Sequence, residues 1–257
     1  MTKQKNILLV LLATILGSSL CAHAQELDLG IESSTQTEAI YFYQNRYPLK
    51  NPYDKLVDNH GNGREDLYGV RNFRAVLNGV VYRGGANNVY NKYKKRANQN
   101  PLQNSALKNM CEEGFGTAVY LYSTNYNTAQ KVTSCKSVIN TKQTLNYVQA
   151  TPHLKDSDAR LVLNLIYKRL TSESDHGPIY LHCWNGWHAS GLISAYTLRQ
   201  FCDYTVDQAV SYWNRNTDGN NVGSNYDRLR AKIKSFQPDP NMKIAADLKA
   251  KICPQKL

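Results

Sequence analysis

The chain has 257 residues, with 31 Lys+Arg against 20 Asp+Glu, a formal net charge of +11, 42% hydrophobic and 20% charged residues. This is globular composition, which excludes long disorder, collagen and coiled coil, and the length suits one domain with extensions. The positive balance attracts acidic partners such as phosphate groups, anionic glycans or lipid headgroups, while no zinc finger, basic helix or aromatic RNA motif points to specific nucleic-acid binding.

At the N-terminus, Lys3 and Lys5 precede an apolar run over 7–16, and Ala22-His23-Ala24 follows. A basic start, an apolar stretch and an A-x-A site read as a signal peptide over 1–24, cut before Gln25. The run is shorter than the ~20 residues of a membrane span, and no other transmembrane segment is visible. The protein is therefore expected to be exported, periplasmic or secreted. Removing Lys3 and Lys5 leaves 29 − 20 = +9.

Residues 25–66 are polar and read as an irregular lead-in that wraps a core. Strands are predicted at 72–76 and 80–83 around Asn78-Gly79, a hairpin turn signal, with Gly84-Gly85 ending the second. Helical spacing of Leu102, Ala106, Leu107 and Met110 predicts a helix over 102–113, closed by Gly114 and Gly116. A strand follows at 117–122. The Ser/Thr/Asn-rich stretch 123–144 reads as a loop whose candidate element is a helix at 128–138. A strand at 145–149 and a loop at 151–158 come next. Ser157 or Asp158 caps a helix running to Leu170, expected to bury Leu161, Leu165, Ile166 and Leu170. The continuous apolar run 179–182 reads as a buried strand, and helices are predicted at 190–201, 205–215 and 223–235. Strands alternating with helices give an α/β fold with a single central, mostly parallel sheet flanked by helices. The organisation is a signal peptide at 1–24, a lead-in at 25–66, one domain at 67–236 and a tail at 237–257.

The chemistry is concentrated in His182-Cys183-Trp184-Asn185-Gly186-Trp187-His188-Ala189-Ser190-Gly191. Here a buried strand ends in a cysteine, then a glycine-containing loop, then a helix. Ligands bind at the carboxyl ends of strands in such sheets. A helix N-terminus and the loop amides present unpaired N–H groups and partial positive charge. The spacing predicts an oxyanion cradle with a nucleophile at its centre. No second cysteine or histidine pair has metal-ligand spacing, so neither a metal nor a cofactor is expected.

This stretch resembles the signature loop of the protein tyrosine phosphatase superfamily, H-C-x-x-G-x-x-R-[S/T]-G. His182, Cys183, Gly186, Ser190 and Gly191 fit it, and His188 fits the H before the Arg in the plant and fungal atypical dual-specificity branch. Asn72-Phe73-Arg74 through Tyr82-Arg83-Gly84-Gly85 resembles that branch's opening segment, and the likeness spans roughly 70–235. It implies a phosphatase-like fold of the dual-specificity type, Cys183 as nucleophile, His182 as a structural support of the cysteine, and Ser190 as a group that helps the sulfur leave. Its general acid is an Asp some 20–30 residues before the Cys, which Asp156 and Asp158 match at 27 and 25 residues. Two positions depart from the pattern: Ala189 stands where the signature has Arg, and Trp187 where the branch has Lys. That Arg grips phosphate oxygens in a bidentate fork, and its loss should cost on the order of 10³-fold or more in rate. His188 is a candidate replacement cation or base, although a helix start favours its neutral form. Trp184 and Trp187 either wall a site for a ring or pack the loop. Arg74, Arg83, Lys155 and Arg215 are candidate substitute cations.

Three functions follow. The first is an exported phosphatase-like protein whose phosphomonoesterase activity is weakened or lost, and which binds an anionic small molecule, glycan or protein. The second is an active cysteine-dependent phosphatase on a phosphorylated sugar, inositol, lipid or protein, using a substitute cation. The third is a non-catalytic glycan- or protein-binding module. Once Cys21 leaves with the signal peptide, five cysteines remain, an odd number that leaves one thiol unpaired in an oxidising compartment. The motif makes that one Cys183. The other four allow three pairings, of which Cys111–Cys135 and Cys202–Cys253 are the more plausible.

Overall fold

Short apolar runs and amphipathic stretches alternate along the chain, and in the computed structural model they fold as α1 (Gln36–Arg46), β1 (Arg74–Leu77), β2 (Val81–Gly84), α2 (Asn104–Glu112), β3 (Thr117–Tyr120), β4 (Val132–Lys136), β5 (Lys142–Gln149), α3 (Asp156–Thr171), β6 (Ile179–His182), α4 (Ala189–Phe201), α5 (Val206–Arg215), α6 (Ser224–Ser235) and α7 (Ala246–Ile252). The structure describes residues 36–49, 51–86, 100–139, 141–172 and 177–256, so the signal peptide expected at 1–24 lies outside the described residues. Among the described residues no helix is long and apolar enough to cross a membrane.

The strands form one six-stranded sheet in the order β1-β2-β6-β3-β5-β4. β2, β6, β3 and β5 run parallel, and the outer strands β1 and β4 pair antiparallel with β2 and β5. This is the α/β architecture with a mostly parallel sheet read from the alternation. Parallel strands bring their C-terminal ends to one edge. Segments 84–86, 121–122, 150–153 and 183–188 therefore converge there.

Side-chain alternation along each strand separates two cores. Ile179 and Leu181 of β6 join an aliphatic layer with Val162 and Ile166 of α3, Leu192 and Ile193 of α4, and Trp213 of α5. Tyr180 of the same strand joins an aromatic layer with Tyr47, Phe73, Tyr82 and Phe115, covered by Ala106, Leu107 and Met110 of α2. Phe73 stacks on Tyr82 with centroids 5.0 Å apart. At the end of α2, buried Glu113 accepts from Arg46 Nε and Nη2 (2.7 and 2.6 Å) and from Tyr47 Oη (2.8 Å). That fork fixes α1 to the aromatic layer.

Several expectations are corrected. The lead-in is not irregular throughout, because α1 and a 3₁₀ turn at Glu65–Leu67 lie within it. The stretch 128–138 holds β4, not a helix. β4 is a polar edge strand paired to the longer β5, and its own burial pattern is mostly exposed. In α3 the buried stripe is Ala159, Val162, Leu163, Ile166 and Leu170, while Leu161 is 46% exposed. No side chain caps α3. Asp158 instead reaches back to Thr151, accepting from its N and Oγ1 at 2.7 and 2.8 Å.

Both expected disulfides are present. Cys111–Cys135 ties α2 to β4, and Cys202–Cys253 ties the end of α4 to the end of α7. Fully buried Ile252 and its carbonyl, which accepts from Asn78 N at 2.7 Å, hold the same tail. Replacing Cys253 by Ser should lower stability by about 2–4 kcal/mol while leaving the far-ultraviolet circular dichroism of the sheet and helices in place. Urea unfolding of the oxidised protein measures this, and an unchanged midpoint would show that burial of Ile252 alone holds the tail.

Candidate active site

Cys183 follows the last residue of β6, the strand between β2 and β3, and the loop 183–188 delivers the chain into α4. The turn needs Gly186, whose φ is +76° and whose missing Cβ would lie 2.6 Å from the Gly84 carbonyl carbon. Gly85 faces the loop in the same way, since a Cβ there would meet Trp184 O at 2.9 Å. Two backbones approach closely here only because neither carries a side chain.

The loop is held from behind by its carbonyls. Trp184 O accepts from Ala86 N (2.8 Å), Asn185 O from Asn72 Nδ2 (2.7 Å), Gly186 O and Trp187 O from Arg83 Nη2 (2.5 and 3.1 Å), and His188 O from Leu192 N and Trp213 Nε1 (2.8 and 3.2 Å). A trans peptide unit points its N–H opposite its C=O. Five successive carbonyls so engaged turn the amides of 185–189 away from these donors. Cys183 Sγ lies 3.4 Å from Ser190 Oγ. Cys183 is buried and is the free cysteine among the described residues.

His182 fixes the cysteine's backbone. Its Nδ1 is 3.4 Å from Cys183 O, and its Nε2 is 2.8 Å from Tyr147 Oη. A carbonyl only accepts, so Nδ1 carries the proton and Nε2 accepts from the tyrosine, whose oxygen in turn accepts from Leu102 N (3.0 Å). Tyr120, Tyr147 and Tyr180 stack on the imidazole. Burial pushes the His182 pKa down to about 3, against a smaller opposing pull from the Cys183 carbonyl.

A cleft of about 540 Å³ opens over Cys183. Its walls include Tyr122, Leu154, Trp184, Tyr226 and Leu229, and its titratable side chains besides Cys183 are His153, His188, Arg228 and the two tyrosines. Among the described residues no carboxylate lines it. His188 Nε2 donates to Asn220 O at 2.6 Å, leaving Nδ1 as the acceptor of a neutral ring. Burial lowers its pKa, with Arg83 adding to the shift and the Asn220 bond opposing it. The His188 of the sequence argument thus lines the cleft in neutral form.

Several expected site residues are elsewhere. Asp156 pairs with Lys232 Nζ (2.9 Å) in a separate cleft. Asp158 is occupied by Thr151. Its partial burial opposes ionisation, but the Thr151 bonds and the Lys155 charge hold its pKa below the ordinary value. Both acids lie in the first turn of α3, where they complement the helix dipole. Trp184 walls the cleft at 43% exposure, whereas Trp187 turns aside and donates Nε1 to Asp218 (3.0 Å). None of the four basic residues expected as substitutes lines the cleft. Arg83 is under the loop, Arg74 bonds Asp218 (3.2 Å), Arg215 lies 3.6 Å from the Tyr53 ring centroid, and Lys155 is exposed at the start of α3.

Two lining residues escaped the sequence argument. His153 sits on the very loop searched for a carboxylate, stacks on Tyr122, and has a buried Nδ1 without a hydrogen-bond partner. Burial and the Lys232 charge lower its pKa. Arg228 is brought in by α6, and no local pattern marks it. No family model matches the chain, and no curated protein matches it.

Since the folded His182 pKa is depressed, the unfolded state binds more protons between about 6.5 and about 3. Stability should therefore be full above that window and fall as pH drops through it. Nuclear magnetic resonance titration should find the His182 ring neutral from neutral pH down to the onset of acid unfolding. A ring that protonates reversibly in the folded protein near its ordinary value would contradict the buried Tyr147–His182–Cys183 chain.

Proposed function

We propose that this chain is an exported, phosphatase-like protein of the protein tyrosine phosphatase superfamily, of the atypical dual-specificity kind, whose cleft holds a phosphate-type anion over Cys183 and whose hydrolysis of ordinary phosphomonoesters is weakened or lost. The observation that carries this reading is the loop itself. Five carbonyls are tied back, the opposing amides face away from those ties, and the sixth position after the cysteine offers a methyl group where a guanidinium fork is needed. The amides and the start of α4 favour an anion. Ala189 contributes no donor to developing charge, so binding survives better than turnover. The two disulfides support export, because such bonds persist in oxidising compartments. The aromatic wall of Trp184, Tyr122 and Tyr226 suits a ring or apolar group attached to the anion.

The contact between Ser190 Oγ and Cys183 Sγ favours a second reading, in which cysteine chemistry persists at a low rate. Sγ, as thiolate, would form a bond to phosphorus as the ester P–O bond breaks, and the leaving oxygen would take a proton from solvent water, since no carboxylate lines the cleft among the described residues. Water would then displace the sulfur, with the Ser190 hydroxyl stabilising it as it leaves.

Hydrolysis of a generic aryl phosphate separates these readings. The purified protein should turn over very slowly or not at all. Ala189→Arg, whose side chain enters an open cleft, should raise kcat by on the order of 10²–10³-fold. Cys183→Ser should abolish that gain. Ordinary phosphatase rates in the unaltered protein would sink the weakened-activity reading, and a folded Ala189→Arg protein without any gain would sink the phosphatase-like reading.

A further inference from the structure

We propose that Arg228, carried by α6, supplies the positive charge that the Cys183 loop lacks, so that an anion in the cleft is gripped between the loop amides and this guanidinium. The proposal rests on the anion-binding reading of the cleft. A superfamily loop carries its cation at the first residue of the following helix. Here that residue is Ala189, and the charge comes from a separate helix that lines the same cleft.

Three observations point to Arg228. The first is how firmly α6 is seated against the loop. The His188 ring stacks on Tyr226 with centroids 4.5 Å apart and planes at 27°. The His188 carbonyl accepts from Trp213 Nε1, and Arg230 Cζ lies 5.6 Å from the Trp213 ring centroid. The residue immediately before Ala189 is thus packed on the helix that bears Arg228.

The second observation is helical period. Residues 225, 226, 228 and 229 fall on one face and line the cleft, while Asp227 and Arg230 fall on the other and pair at 2.5 Å. Arg230 is further held by Asn214 Oδ1 and Asn221 O. The two arginines are two residues apart, and the helix gives them different tasks. Arg230 braces the fold, whereas Arg228 is exposed and, among the described residues, no hydrogen bond or ion pair engages its guanidinium.

The third observation is the cleft's charge. No carboxylate lines it among the described residues, and Arg74, Arg83 and Arg215 are committed elsewhere. His153 and His188 have lowered pKa values and contribute little positive charge at neutral pH. Among the described residues, Arg228 is therefore the cation that the cleft offers a bound anion. The cleft of about 540 Å³ that both Cys183 and Arg228 line has room for the phosphate of a larger molecule.

The test uses inorganic phosphate as probe and alkylation of Cys183 as readout, followed by mass analysis of its peptide. Phosphate should protect Cys183 from neutral iodoacetamide, and the anion iodoacetate should react faster relative to iodoacetamide than it does with a free thiol. In Arg228→Ala the phosphate concentration for half-protection should rise about fivefold, as expected for one exposed charge, and the effect should shrink with added salt. Arg228→Lys should retain most of the protection. Equal protection in Arg228→Ala and the unaltered protein would overturn the role of Arg228 while leaving the anion-binding cleft standing. Absence of phosphate protection in the unaltered protein would overturn the cleft reading and this proposal with it.

Discussion

The site depends on one buried guanidinium. Arg83, fully enclosed at the end of β2, donates to the carbonyls of Gly186 and Trp187 and to Tyr212 Oη (3.2 Å). Without it two loop carbonyls would be buried without partners, a cost that folded proteins avoid. The same contact explains the small residues nearby. A Cβ on Gly191 would meet Arg83 Nη2 at 3.2 Å and Trp213 Cδ1 at 3.0 Å. Arg83 thus links the middle of the loop to Tyr212 of α5 and limits the side chain at position 191 of α4. A residue resembling part of a family opening motif is the internal strut of the loop.

Side chains on and beside the loop serve as braces. Trp187 bonds Asp218, and Asp218 also takes Lys55 (2.7 Å) and Arg74. Burial works against that carboxylate's ionisation, but the Lys55 and Trp187 bonds and the Arg74 and Lys55 charges hold its pKa below the ordinary value. The result is a rigid ion cluster beside the loop. Among the described residues, the cleft above has aromatic walls, neutral imidazoles and the Arg228 guanidinium.

The central sheet was legible in the sequence because its strands are short continuous apolar runs, as in 179–182 and 117–120, and parallel strands buried on both faces must be so. The Cys183 loop was legible as a turn because a strand end, a glycine able to take positive φ and a helix start follow one another there at short spacing. β4 was not, because an edge strand with one buried residue in five has the composition of a loop. The buried stripe of α3 was misread at Leu161, one position off the face that Ala159, Val162 and Ile166 define. Asp156 and Asp158, read as part of the 151–158 loop, stand in the first turn of α3 and outside the cleft, since spacing from Cys183 says nothing about which way a helix's first turn faces. Arg228 could not be read at all. Its place in the cleft follows from α6 folding back onto the residue before Ala189, a tertiary fact without a local signal.

The positions of the sulfur atoms have a further consequence. Cys202 lies at the far end of α4 from Cys183, and a helix of 13 residues spans about 20 Å. Cys111–Cys135 belongs to the aromatic side, beneath α2 and at the outer edge of the sheet. A thiolate attacks a disulfide only by direct contact through a mixed-disulfide intermediate. The fold therefore sets Cys183, the free cysteine among the described residues, apart from the two disulfides, and that separation opposes bond shuffling in the folded state. That separation lets Cys183 stay reduced beside two oxidised pairs.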